Sequence, residues 1–148
     1  MRSISTILQF KNGKKRPSET GGIPVYGGNG ILGYANDFNM KKGIVIGRVG
    51  AYCGSVYLSE DECWVSDNAI MALPKNEQDI IYSYYLLKSL ELNRKSIGTG
   101  QPLITQDILN RIEIELPPAD KREKIGATLY SLDKRIRNNN AINDNLAS

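Results

Sequence analysis

The side chains of this 148-residue chain that could do chemistry are lysines, arginines and amides set among glycines, and histidine is absent. Without histidine the commonest general base, every histidine-dependent triad and the histidine-containing zinc sites are excluded. Cys53 and Cys63 cannot alone supply a four-thiolate zinc site. Each lies beside a strand-like run with no histidine to activate it, so both read as reduced, buried packing residues. The acidic stretch Ser59-Glu60-Asp61-Glu62, with Asp67, has no basic catalytic partner and reads as surface. No metal, no cofactor and no enzymatic activity are expected. What remains is the chemistry of binding. Lys11, Lys14, Lys15 and Arg16 occupy a loop containing Gly, Pro and Ser, suited to phosphate contact because each neutralised phosphate releases condensed counterions. Arg48 leaves an apolar run directly into Gly50-Ala51-Tyr52, where small residues would admit a duplex. A forked guanidinium there matches guanine O6 and N7, and Asn29 or Gln101 matches adenine. The alternative for Arg48 is a brace that donates to backbone carbonyls.

Charge is distributed as a polyanion partner would require. Residues 1–58 carry eight Lys/Arg against two acids, residues 59–92 two against seven, and residues 93–148 nine against seven, giving +3 for the chain. The first third is therefore a basic block, the electrostatic footprint of nucleic-acid binding, although solvated surface produces such blocks too. No apolar run approaches the roughly 20 residues of a bilayer span, and no signal peptide fits, so a cytoplasmic chain without a membrane partner is expected.

The elements that must position these groups change period along the chain. Ser3 caps a short helix carrying Ile4, Ile7 and Leu8, ended by Asn12-Gly13, and a loop runs from Lys11 to Gly22. Short strands are predicted at Ile23–Tyr26, with Pro24 placing it at an edge, and at Ile31–Tyr34, joined by Gly27-Gly28-Asn29-Gly30. Further strands are predicted at Ile44–Gly47, Ser55–Leu58 and Ala69–Leu73, with Cys63–Val65 as a fourth. Gly28-Asn29-Gly30-Ile31-Leu32-Gly33 matches the dinucleotide-binding G-x-G-x-x-G string but opens into a strand rather than a helix, so it reads as a turn. Ile80, Ile81, Tyr84, Tyr85, Leu87 and Leu90 then recur at helical spacing from a start near Asn76 or Asp79, giving a helix that packs on the sheet. A Thr105-capped turn leads into an alternating strand, Arg111–Leu116.

Pro117-Pro118 reads as a hinge between a globular body, residues 1–116, and a helical tail, residues 117–148. Asp120 and Glu123 have capping-box spacing. Ile125, Leu129, Leu132, Ile136, Asn139, Asn143 and Leu146 follow a 4-3-4-3 step, a coiled-coil seam with two polar seats. Such a helix from Asp120 to Ala147 would reach about 42 Å and could not bury its stripe alone. It either folds back on its own sheet or pairs with a second copy, and the double proline together with the seam asparagines favours pairing. The expected fold is α+β: a small Gly-punctuated mixed sheet with packed helices, followed by a long C-terminal coiled-coil helix.

Six strings in order carry a resemblance that spans nearly the whole chain: Lys11–Lys14, Ile23–Gly30, Ile44–Ala51, Trp64–Ala69, Gly98–Pro102 and Leu116–Pro118. Together they resemble the specificity (S) subunit of type I restriction-modification systems. The resemblance implies a non-catalytic subunit in which each target recognition domain reads one half of a split site in double-stranded DNA and is followed by a long helix. Two such units normally share one polypeptide with their helices antiparallel. Modification (M) methyltransferase subunits dock alongside, and the restriction subunit joins through the complex. This chain corresponds to one such half, ending at Ser148, with Ala119-Asp120-Lys121-Arg122 in place of the Leu and Glu-Gln usual after the double proline. The expected DNA-binding residues are Lys11, Lys14, Lys15, Arg16, Asn29, Arg48, Tyr52 and Gln101. The expected partners are DNA, a second copy through the seam, and the M subunit. The rival expectation is a protein-interaction adaptor, or a degenerate fragment, that binds partner subunits without reading DNA.

Overall fold

The computed structural model describes residues 1–147, with side chains as far as Asn140. Over these residues the chain forms nine strands: β1 (Arg2–Ser3), β2 (Leu8–Asn12), β3 (Thr20–Gly27), β4 (Gly30–Ala35), β5 (Gly43–Gly47), β6 (Val56–Ser59), β7 (Trp64–Val65), β8 (Ala69–Pro74) and β9 (Glu113–Ile114). Its helices are α1 (Ile80–Ser89), α2 (Gln106–Asn110) and α3 (Ala119–Ala147), with 3-10 turns at Ile4–Thr6, Glu77–Asp79 and Leu92–Lys95. The α+β class agrees with the sequence reading, but the strands divide among three sheets instead of one. They are an antiparallel sheet in the order β2-β8-β5-β6, a mixed sheet β4-β3-β7, and the pair β1-β9.

Alternation along β5 and β8 explains the layering. Successive strand side chains point to opposite faces, so Ile44, Ile46, Ile70 and Ala72 enter a core shared with Leu8, Phe10, Leu87 and Leu109. Val45 and Met71 enter a second core with Tyr26, Met40, Cys63 and Val65. Helix α1 thus covers one face of the four-stranded sheet and the three-stranded sheet backs the other. A strand buried on both faces has no polar alternation, which is why all of β5 is buried.

Several local expectations are corrected. Ser3 does cap a helical turn, accepting from Ser5 N at 3.2 Å, but the turn ends at Thr6. Leu8 and Phe10 are buried on either side of exposed Gln9, a period of two, and β2 pairs with β8 over its whole length. Lys11 and Asn12 therefore belong to a strand, and the following loop ends at Thr20. Pro24 lies in the central strand of its sheet, not at an edge. It is tolerated because two-residue β7 meets β3 only at Val25 and Tyr26. Of Arg111–Leu116 only Glu113 and Ile114 pair, against β1. Helix α1 is preceded by a 3-10 turn whose cap is Asn76, accepting from Gln78 N at 3.1 Å. Thr105 caps α2, accepting from Ile108 N at 3.1 Å.

Helix α3 starts one residue before the proposed capping box. Arg122 N already donates to Pro118 O at 3.0 Å, so Asp120 sits inside the first turn. The double proline starts the helix without detaching it. The Arg122 guanidinium is 12% exposed and pairs with Asp79, whose carboxylate is 4% exposed, through Nε to Oδ1 at 2.9 Å and Nη2 to Oδ2 at 3.1 Å. Its Nη1 donates to Pro117 O at 2.6 Å. A turn on, Gly126 is buried; a Cβ there would stand 2.8 Å from Tyr82 N, so glycine lets the two helices touch. Beyond it the Tyr85 hydroxyl donates to Asp133 Oδ2 at 2.7 Å, and the Tyr130 hydroxyl donates to the Glu60 carboxylate at 3.2 Å. The docking face is therefore formed by Arg122, Gly126, Tyr130 and Asp133.

The seam is a different face. Ile125, Leu129, Leu132 and Ile136 are 40, 38, 48 and 58% exposed, and Asn139 is exposed. The side chains of Asn143 and Leu146 lie outside the described residues. At 3.6 residues per turn the seam and the docking face are centred roughly 100° apart, so α3 is fastened to its own body while its apolar stripe stays uncovered.

Breaking a buried pair by removing one charge costs about 3–5 kcal/mol. Asp79→Asn should lower stability by about 3 kcal/mol in urea unfolding, while Leu132→Ser on the seam should change it by less than about 0.5 kcal/mol at concentrations where the chain is monomeric. Burial, and then the Asp133 carboxylate that accepts its proton, hold the Tyr85 phenol above the ordinary value of 10.0. Burial also raises Tyr26 and Tyr82. A folded pKa above the unfolded one means that this stability is complete below about pH 10 and is lost as pH climbs toward the folded value. Tyr85→Phe should flatten the alkaline fall in stability, measured by thermal melts above the ordinary phenol value of 10.0.

Candidate nucleic-acid interface

The candidate residues depend on backbone fastenings between loops. The β3–β4 turn at Gly28-Asn29 lies against the start of the next loop. A Cβ on Gly47 would collide with Gly28 O, and Ser55 Oγ donates to that same carbonyl at 3.0 Å. Only glycine permits this crossing, so the turn and the 47–55 loop are held as one unit. The Tyr57 hydroxyl donates to Asn29 Oδ1 at 2.9 Å. With its oxygen engaged, Asn29 offers its amide nitrogen as a donor, which suits N7 or phosphate oxygens better than the two-bond adenine contact expected from sequence.

Arg48 is held as the bracing alternative expects. Its N–H donates to Asn68 O at 3.0 Å, its carbonyl accepts from Ile104 N at 2.8 Å, and its Nε donates to Asp67 O at 3.0 Å. The guanidinium is thus braced, while its two Nη atoms have no protein partner among the described residues. A preset plane with two free donors is the geometry for a forked contact. Gly50 N donates to Pro102 O at 3.0 Å, and Leu103 bridges to both Val49 and Ile97. This ties the Gln101 loop to the Arg48 loop. Gln101 is exposed, as is Tyr52 at 64%.

The lysines are anchored by their backbone. Gly13 N donates to Ala69 O at 2.9 Å and Lys14 N to Val65 O at 3.0 Å. Lys14 O accepts from Trp64 Nε1 at 2.9 Å. Lys14 and Lys15 are exposed beside the Asp67-Asn68 turn that braces Arg48, and Lys11 stands exposed on β2 two residues before Gly13. Arg16 diverges: its Nη2 lies 3.0 Å from the Cβ position of Gly33, over β4. The structure therefore brings Lys14, Lys15, Asn29, Arg48, Tyr52 and Gln101 onto one connected group of loops. Arg16 joins from the side of the β3–β4 hairpin.

Tyr57, Trp64, Asp67 and Asn68 hold this arrangement; the last three lie in one of the family-like strings, but nothing in the sequence gives any of the four this bracing role. Their contacts span 19 to 50 residues of chain and leave no local pattern. The G-x-G-x-x-G string forms the hairpin turn and strand β4, with Gly30 at φ 90°. Cys53 and Cys63 are free and buried, and burial pushes the Cys63 thiol up, away from reactivity. The acidic stretch divides, Glu60 facing Tyr130 and Asp67 bracing Arg48. Among the described residues no three of Cys, Asp and Glu converge to hold a metal, and no helix is long and apolar enough to cross a membrane.

Comparison with known proteins agrees with this architecture. The chain is 26% identical over 141 residues to the EcoprrI type I restriction enzyme specificity subunit of Escherichia coli, covering 89% of this chain and 35% of that protein. The S subunit of a type I restriction-modification system from M. genitalium superposes with a TM-score of 0.78 at 22% identity, over 93% of this chain and 39% of that one. A chain from a type I R-M system, solved for its complex assembly and conformational transition, gives a TM-score of 0.68 at 20% identity, over 92% and 38%. The chain thus spans little more than a third of the length of these relatives. The model of the type I restriction modification DNA specificity domain matches residues 1–148, and the chain belongs to that family.

Proposed function

We propose that this chain is a non-catalytic DNA-recognition unit of a type I restriction-modification system, one that reads one half of a bipartite site and directs a methyltransferase and restriction complex to it. The observation that carries the reading is the connected group of loops presenting Lys14, Lys15, Asn29, Arg48, Tyr52 and Gln101, whose backbones are fastened and whose polar ends face away from the core. In that assignment Lys11, Lys14, Lys15 and Arg16 hold phosphates, and Arg48 takes a guanine in the major groove. The body, residues 1–116, is the reader, and α3 is the partner helix.

The uncovered seam favours a second copy as its occupant. Coiled-coil pairing through Ile125, Leu129, Leu132 and Ile136, with Asn139 setting register, would cover a stripe that the body leaves exposed. Two identical readers related by a two-fold axis read an inverted repeat, with the gap set by helix length. The M subunit is the further partner, supported by the family and by the complex-forming relative.

Reversing charge at Lys14, Lys15 and Arg16 should weaken binding to random and selected duplexes alike. The slope of log K against log salt should flatten by about 0.9 for each phosphate that the variant no longer neutralises, read by fluorescence anisotropy. A wild-type chain that binds no duplex at low salt would overturn the DNA assignment. In equilibrium sedimentation the wild type should dimerise and Leu129→Asp with Leu132→Asp should not; the wild-type melting temperature should rise with protein concentration, and that of the variant should not. Wild-type monomer at high micromolar concentration would remove the seam's role.

A further inference from the structure

Helix α1 ends on a residue type that the fold itself does not require. Glu91, the first residue beyond its C-cap Leu90, has φ 50° and ψ 57° and is the one non-glycine residue with positive φ among the described residues. That left-handed position is ordinarily filled by glycine or asparagine. A carboxylate there also faces the negative end of the helix dipole. Neither penalty is offset by burial: its ion pair with Arg94, at 3.3 Å, joins side chains that are 60 and 77% exposed. A residue disfavoured twice by its own backbone and anchored to nothing inside is a candidate for a role outside.

Its surroundings say which. Glu91 lines an open cleft of about 360 Å3 together with Tyr52, Lys88 and Asn93. The cleft exists because Gly54, at φ 88°, brings the 50–55 loop against the 91–93 turn; a Cβ there would collide with Asn93 N. Gly54 N donates to Gly47 O at 2.8 Å, and Gly47 in turn crosses Gly28. The turn carrying Glu91 therefore continues the row of loops that holds Asn29, Arg48 and Tyr52. Lys88 lines the same cleft and Arg94 pairs with the acid, so positive charge stands on both sides of it in the chain.

An acid on a surface that meets phosphates is repelled by them unless a donor takes it, and its exposed pair with Arg94 is weak enough to be exchanged for one. In the major groove the cytosine N4 amine is such a donor. Adenine N6 is also one, but the N7 lone pair beside it repels a carboxylate that has no proton to give. Resting on the DNA-recognition reading above, we propose that Glu91 is a specificity-determining residue that accepts from the N4 amine of a cytosine in the half-site, with the Tyr52 ring as the wall of the same cleft.

The test is selection from a random duplex library by the full 148-residue chain, followed by affinities for single-position variants of the selected site. Replacing one C·G pair by T·A should weaken wild-type binding about 5- to 150-fold, the discrimination of a good base contact. Glu91→Gly keeps the fold, because glycine relieves the positive φ, and should raise the melting temperature. In this variant the C·G to T·A penalty at that one position should fall to near unity, with the other positions unchanged. A folded Glu91→Gly chain with wild-type preferences at every position would overturn the assignment of Glu91 and leave DNA recognition standing. Failure of the wild type to select any sequence would instead overturn the reading on which it rests.

Discussion

The contact between Asp79 and Arg122 decides what the C-terminal helix can do. Two charges almost out of water hold their place only when their geometry is complete, and here the carboxylate receives two guanidinium nitrogens while the third nitrogen reaches Pro117 O. Because Arg122 lies within the first turn of α3, the pair sets the direction in which the helix leaves the body. Gly126, Tyr130 and Asp133 then continue the same line of contact along α1 and toward β6. The apolar stripe is left on another side by the geometry of the helix, so fastening and display do not compete.

Much of this fold is legible in residue order. Alternating or continuous apolar runs locate β3 to β8, though not β2, and the 3.6-residue period of Ile80 to Leu90 locates α1. Caps at Asn76 and Thr105 are legible because a side-chain oxygen before a helical run has few other uses. The N-terminal turn is overextended by its pattern because Ile4, Ile7 and Leu8 fit a helical face as well as a strand start, and only pairing with β8 arbitrates. A rule about whole strands puts Pro24 at an edge, whereas its neighbour β7 is too short to reach it. The division into separate sheets depends on which strands meet, and no local period encodes that.

The candidate site is legible in its parts and not in its assembly. Arg48, Tyr52, Gln101 and the lysine loop stand out by type, and the basic block by count. Their convergence is produced by hydrogen bonds between backbone groups far apart in the chain, such as Gly50 to Pro102 and Lys14 to Val65. The Asp67 and Asn68 carbonyls that brace Arg48 carry no side-chain signal at all. By type, Glu91 is one more acid in a negative stretch, since backbone handedness cannot be seen in a residue that is not glycine.

Gly28 and Gly47 cross with no side chain between them. The loops are joined by main-chain bonds, by glycines that must stay bare and by the Arg48, Ser55, Tyr57 and Trp64 side chains, so the outward Lys14, Lys15, Tyr52 and Gln101 side chains contribute little to holding them together. Such a surface can be rewritten letter by letter while its frame persists. Drift at the displayed positions would alter what the molecule prefers long before it altered whether the molecule folds.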